Sequence, residues 1–182
     1  MHMKKENTIL GTKTLYLPDE EATIALATEL APMLCGTHPA IDKSLRGGRI
    51  HLRGELGAGK TSFARALLRA AGITGRIKSP SYALLESYNL SNLNFYHLDF
   101  YRFSDSQEWV DAGFRDILQQ EAIVLIEWPE QAGALLSPPD LDIHLQYADH
   151  GRHASLTAHS NKGNLWLTTL ALPHQDSHGA GS

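Results

Sequence analysis

The chain predicts a single α/β domain: a mostly parallel central sheet with an antiparallel extension and helices on both faces. Three observations lead there. Arg49–Arg53 alternates and carries β-formers, Gly54–Thr61 is rich in glycine, and Ser62–Ala71 has helix formers with apolar residues at helical spacing until Gly72; strand, glycine loop and helix in succession make the unit of a parallel sheet. Ala122-Ile123-Val124-Leu125-Ile126 is a short continuous apolar run, as in a strand buried on both faces. Beyond Pro138-Pro139, the segments Leu141–Tyr147, His153–His159 and Leu165–Leu170 alternate like antiparallel strands. At 182 residues and 42% hydrophobic composition the chain is large enough for one real core. No repeat or linker divides it, so residues 1–172 read as one domain. The His/Gly/Ser-rich tail, 173–182, is expected to be disordered.

In order along the chain, Thr8–Leu17 reads as a strand ended by Pro18. Asp19 can cap a helix through Ala22, Ile24, Leu26, Ala27, Leu30 and Leu34, with Glu20 and Glu21 in its first turn. Gly36–Gly48, with Pro39 and a glycine pair, reads as a polar, mobile loop. Strand Arg49–Arg53 and helix Lys60–Ala71 bracket the glycine loop. Ser79-Pro80-Ser81-Tyr82 is a turn signal. Ala83–Leu90 and Leu93–Phe100 read as strands joined by Ser91-Asn92, and Asp105–Gln120 as a helix with Trp109, Val110, Phe114, Ile117 and Leu118 inward.

Composition narrows the function classes. Sixteen basic and twenty acidic residues give a net charge of −4, which supplies no general pull toward nucleic acid, although a local basic face remains open. A single cysteine, Cys35, excludes an internal disulfide and fits a reducing compartment. No apolar run reaches the length of a membrane span, and the polar start at Met1–Asn7 lacks a signal-peptide core. A cytoplasmic protein with no membrane contact is expected.

Gly54-Glu55-Leu56-Gly57-Ala58-Gly59-Lys60-Thr61 matches the full phosphate-binding pattern G-x-x-x-x-G-K-[ST]. Ordinary residue frequencies produce it at roughly one position in 10⁴ to 10⁵, and the strand and helix around it make accident rarer still. Glycines let backbone N–H groups turn inward around a phosphate, and the new helix aims its positive end at the anion. Gly57, Ala58, Gly59, Lys60, Thr61 and Ser62 are therefore the expected nucleotide contacts. Lys60 reaches for the β- and γ-phosphates, and the Thr61 hydroxyl for Mg²⁺.

Hydrolysis also needs acids. Glu127 ends the buried apolar strand, where ligands gather in open parallel sheets; the alternative is a solvated strand terminus. His97, Asp99 and Tyr101 share one face of their strand and Leu98 and Phe100 the other, which fits a site wall and equally a solvated sheet face. Ser79 and Ser81 could offer hydroxyls to the γ-phosphate, although serines beside proline are common in turns. Arg102 is an internal arginine candidate, with a structural ion pair as its alternative. For Trp128 the core reading is preferred.

Taken in order, Gly54–Thr61, Ser79-Pro80-Ser81-Tyr82, His97-x-Asp99-x-Tyr101-Arg102 and Ile126-Glu127-Trp128 resemble the bacterial TsaE family, and so does Asp105-x-x-Glu108 followed by Gly113-x-Arg115-Asp116. The resemblance runs from about Leu17 to about Tyr147. It implies a P-loop NTPase with a seven-stranded or similar mixed sheet, binding ATP and Mg²⁺. It further implies a role in threonylcarbamoylation of adenosine 37 in tRNAs that read codons beginning with A. Such ATPases reset a complex of the TsaD and TsaB proteins between cycles, and touch tRNA only indirectly. Carried over by motif, Lys60 and Thr61 bind phosphate and Mg²⁺, Glu127 is a second Mg²⁺ contact, Asp99 is the hydrolytic acid, Ser79–Tyr82 is a switch-like loop, and Glu20 approaches the nucleotide. Ser81 stands where the family commonly has Thr, and Leu34–Gly48 is longer than the family pattern leads one to expect.

Two rivals share the loop. A small-molecule kinase usually carries an arginine-rich lid, and the arginines after Gly72, at 76, 102, 115 and 152, are scattered. A non-hydrolytic, ATP-gated assembly factor needs no further residues. Direct RNA binding is disfavoured by the lack of a basic-aromatic stripe, and no Asn-Lys-x-Asp guanine-reading motif is present.

Overall fold

Seven strands in the order β1-β7-β6-β2-β5-β4-β3 form one sheet in the computed structural model, which describes residues 8–171 apart from 82, 119 and 120. The strands are β1 (Gly11–Leu17), β2 (Gly48–Arg53), β3 (Leu85–Leu90), β4 (Leu93–Asp99), β5 (Ala122–Glu127), β6 (Leu141–Tyr147) and β7 (Arg152–Ala158). The centre, β6-β2-β5-β4, is parallel, while β7 with β1 and β3 close the two sides as antiparallel partners. The expected fold class holds, with the antiparallel extension present at both edges.

Helices cover both faces, and β5 shows why. Ile123 and Leu125 enter one apolar cluster, while Ala122, Val124 and Ile126 enter the other, as the two-residue side-chain period requires. The first cluster lies under α1 (Glu20–Cys35), α2 (Lys60–Ala71) and α5 (Asn161–Thr169). Phe63, Leu67 and Leu68 of α2 are fully enclosed there, so removing the Phe63 ring costs about 3–5 kcal/mol. The second cluster lies under α3 (Ser106–Asp111), α4 (Phe114–Leu118) and the 3-10 segment Pro129–Leu135. Asp19 caps α1 as expected, its carboxylate accepting from the Ala22 N–H at 2.9 Å.

Four expectations need correction. Leu165–Leu170 is not a strand: Leu165–Thr169 ends α5 and Leu170 is its C-cap, Ser160 caps the start, and Gly163, Trp166, Leu167 and Leu170 are buried at helical spacing. Asp105–Gln120 is not one helix. Gly113, at φ +82°, breaks it into α3 and α4, and Gln120 lies outside the described residues. Gly36–Gly48 is anchored rather than bare: Ile41 is buried, Lys43–Leu45 forms a 3-10 turn, and the Gly47 N–H donates to Leu34 at 2.7 Å. The first strand begins at Gly11, three residues after Thr8. Met1–Asn7 and the tail from Pro173 lie outside the described residues. Among those described, no helix is long and apolar enough to cross a membrane.

Candidate nucleotide site

β2 delivers the chain to Gly54, and Gly54 must be glycine. Its φ is +147°, and a Cβ there would stand 2.5 Å from the Leu145 carbonyl oxygen. Gly57 and Gly59 also lie at positive φ, which lets the loop turn back on itself before α2 starts at Lys60. Gly59 caps α2 without a side-chain hydrogen bond. The first-turn N–H groups are thus claimed by no side chain at the cap, the usual provision for an anion.

Lys60 is buried and folds over the loop, its Nζ donating to the Gly54 and Glu55 carbonyls at 2.5 and 2.9 Å. The same nitrogen sits 4.3 Å from the centroid of the Trp128 ring, within cation–π range. Burial lowers its pKa from the usual lysine value, against the pull of Glu127, Glu130 and Asp99.

Under the start of α2, β4 and β5 end side by side, Asp99 opposite Glu127 in register. The Glu127 carboxylate is only 2% exposed and is held at both oxygens. Thr61 Oγ1 donates to Oε1 at 2.7 Å, and His97 Nε2 lies 2.7 Å from Oε2. A polar group so buried needs such hydrogen-bond partners to offset the loss of water. Asp99 is buried beside it and accepts from the Tyr101 N–H at 2.9 Å. Burial raises its pKa above the usual aspartate value, and Glu127 adds to the rise, while the Tyr101 hydrogen bond, His97 and Lys60 oppose it.

The expected metal contacts therefore meet: a hydroxyl and a carboxylate oxygen in hydrogen-bond contact beneath the phosphate loop. Among the described residues, no cluster of three or more His, Cys, Asp or Glu forms a metal cage. Mg²⁺ does not require one, being held commonly by one or two carboxylates together with substrate phosphates. The donor set fits.

On the other side of the loop, Glu20, Thr23, Gly57, Ala58, Gly59, Ser62 and the 150–152 turn line a hollow of about 280 Å³. Glu20 lies exposed at the start of α1, on the same hollow as the phosphate loop. The β6–β7 hairpin grips the loop from outside. Tyr147 donates its hydroxyl to the Leu56 carbonyl at 2.7 Å. Arg152 donates to the Ala58 and Gly57 carbonyls at 3.2 and 3.3 Å, and its guanidinium lies 4.2 Å over the Tyr147 ring.

Two side chains depart from expectation. Tyr101 is not on the strand, which ends at Asp99; it lies in the following turn, half exposed. Trp128 is not a core residue. It is half-buried in left-handed backbone, φ +56°, with its ring 4.9 Å from Tyr101 and against Lys60. Its place directly after the acid of a central parallel strand was the available signal. Ser79 and Ser81 hydrogen-bond each other at 2.7 Å, and Tyr82 lies outside the described residues. Arg102 is exposed in the turn after β4. Tyr147 and Arg152 gave no local signal, because their partners are some ninety positions away in sequence.

A family model described as "Threonylcarbamoyl adenosine biosynthesis protein TsaE" matches residues 17–154. A relative from Haemophilus influenzae, named "tRNA threonylcarbamoyladenosine biosynthesis protein TsaE", is 36% identical over 87% of this chain and 97% of its own length. One of the same name from Bacillus subtilis is 33% identical over 69% of this chain and 78% of its own. The crystal structure of Bacillus subtilis YdiB is similar with a TM-score of 0.67, covering 88% of this chain and 95% of that one at 24% identity.

Proposed function

Because the chain belongs to the TsaE family of threonylcarbamoyl adenosine biosynthesis proteins, we propose that it is a Mg²⁺-dependent ATPase required for threonylcarbamoylation of adenosine 37 in tRNAs reading codons that begin with A. It acts by ATP-driven resetting of a TsaB–TsaD complex and meets tRNA only through that complex. The observation that carries the chemistry is the stacked arrangement of phosphate loop, Thr61–Glu127 contact and Asp99 at the ends of β4 and β5.

Lys60 exchanges the Gly54 and Glu55 carbonyls for phosphate oxygens, and the loop N–H groups of Gly57–Ser62 bind the rest of the phosphate chain. Thr61 and Glu127 would hold Mg²⁺, which would offset negative charge on the transferring phosphoryl group. Asp99 orients the attacking water and accepts its proton. The raised pKa makes its carboxylate a better base than a solvated aspartate. Glu20 lines the hollow beyond the loop, toward the nucleoside. Turnover by the chain alone is slow, since P-loop enzymes commonly await an arginine or a closed interface.

ATP hydrolysis by the purified chain, alone and then with TsaB and TsaD proteins, tests this, each assay being repeated with Lys60→Ala. Partner-stimulated turnover that Lys60→Ala abolishes is expected. Tight ATP binding with no turnover in either setting would replace the ATPase with a non-hydrolytic assembly switch. Phosphoryl transfer to a small molecule would replace it with a kinase.

A further inference from the structure

His97 is wholly enclosed on β4, one layer deeper than the ends of β4 and β5. Its ring has two nitrogens and one partner. Nε2 meets Glu127 Oε2 at 2.7 Å, and Nδ1 is buried with no partner among the described residues. That asymmetry assigns the proton. A proton on Nδ1 alone would leave a buried donor unsatisfied and set the Nε2 lone pair against a carboxylate, so Nε2 carries it and donates. Desolvating an imidazole is unfavourable, and among the described residues the one hydrogen bond that offsets it runs to Glu127. The neighbours on the same face, Phe95, Ile123 and Leu125, are apolar, and an apolar side chain would fill the space as well.

Glu127's two oxygens have different prospects. The Thr61 hydroxyl on Oε1 is the partner to be redirected when a cation is held between them. His97 on Oε2 lies on the buried side, away from that exchange. We propose that His97 is a positioning residue: it pins Glu127 Oε2 so that Oε1 stays aimed at Thr61 and can accept Mg²⁺ without the carboxylate rotating. The inference deepens the proposed function and rests on reading Glu127 as a Mg²⁺ contact.

The test separates metal from nucleotide. Affinity for a fluorescent ADP analogue is measured in EDTA and in Mg²⁺ for the wild type and for His97→Gln, His97→Asn, His97→Leu and Glu127→Gln. Glutamine carries its Nε2 as many bonds from Cα as histidine does, whereas the asparagine amide is one bond short. The gain in affinity conferred by Mg²⁺ should fall about 10- to 100-fold in His97→Asn and His97→Leu, the usual loss when a ligand's supporting partner is removed. Affinity in EDTA should stay within about twofold, and His97→Gln should keep most of the Mg²⁺ gain. Adding His97→Asn to Glu127→Gln should cost nothing more.

Wild-type Mg²⁺ dependence in His97→Asn, or a His97→Gln as impaired as His97→Asn, would overturn the inference. If His97→Leu fails to fold, the Asn and Gln pair decides alone. If Glu127→Gln keeps its Mg²⁺ dependence, the metal contact itself is misassigned and the inference falls with it. If Glu127→Gln loses it while His97→Asn does not, only the inference falls.

Discussion

At the scale of single residues, His51 carries a cost that pH can reveal. It is buried on β2, and among the described residues its Nε2 has no partner. Burial, then Arg49, Arg53 and His159, hold its pKa well below the usual 6.5. Between those two values the unfolded chain binds a proton that the fold refuses, so stability falls as pH drops below about 6.5, by up to about 1.4 kcal/mol per pH unit. His51→Leu should therefore narrow the gap between urea midpoints at pH 7 and pH 5; an unchanged gap would clear His51 of this role. Cys35 gives a second reading. Burial pushes its thiol up to about 11, so at pH 8 it should react with a disulfide reagent far more slowly in the native chain than in urea. Equal rates would place the thiol outside the fold. The position of Glu127 was legible because an acid that ends a central apolar strand has a known geometry, whereas the pattern around Asp99 fitted a solvated sheet face equally well. The contacts of His97 and Trp128 were not legible, since each depends on which side chain of another element stands opposite.

Elements were legible where one local signal dominated. α2 spans Lys60–Ala71 as read, because glycines bound a helical pattern on both sides. α5 looks like a strand in sequence because Leu165 and Leu167 alternate with Trp166 and Thr168. The cap at Ser160 and the 163, 166, 167, 170 spacing said helix. The α3–α4 break depended on Gly113, a residue that a helix can tolerate at some cost. Gly54 provides the prediction at this scale. Its φ of +147° and the approach of Leu145 mean that Gly54→Ala must displace the strand-to-loop junction. A loss of about 1–3 kcal/mol in stability is expected, with a weaker nucleotide affinity measured alongside. A variant with native stability and affinity would contradict that geometry.

For the whole molecule, the sheet order sets where ligand energy goes. β2 lies between the β5–β4 acids and the β6–β7 hairpin, so a nucleotide on its loop would touch elements from both halves of the chain. ATP analogue with Mg²⁺ at 100 times its dissociation constant should stabilise the domain by about 2.7 kcal/mol. The melt should move as one transition; a split into two would mean the halves unfold separately. The sheet also differs between its faces. β6 and β7 send Leu141, Ile143, Leu145, Ala154, Leu156 and Ala158 into the first apolar cluster, and present Asp142, His144, Ser155 and Thr157 on the opposite face. Alternation made this legible, whereas the order of the strands came only from the folded chain. The hairpin's grip on the phosphate loop has a thermodynamic consequence. Fixing one residue's backbone costs about 1–2 kcal/mol in entropy, and Tyr147 and Arg152 hold the carbonyls of Leu56, Gly57 and Ala58 by hydrogen bonds from outside the loop. The cradle is thereby ordered at folding rather than at binding. In calorimetry Tyr147→Phe should bind nucleotide with a more unfavourable entropy and a nearly unchanged enthalpy.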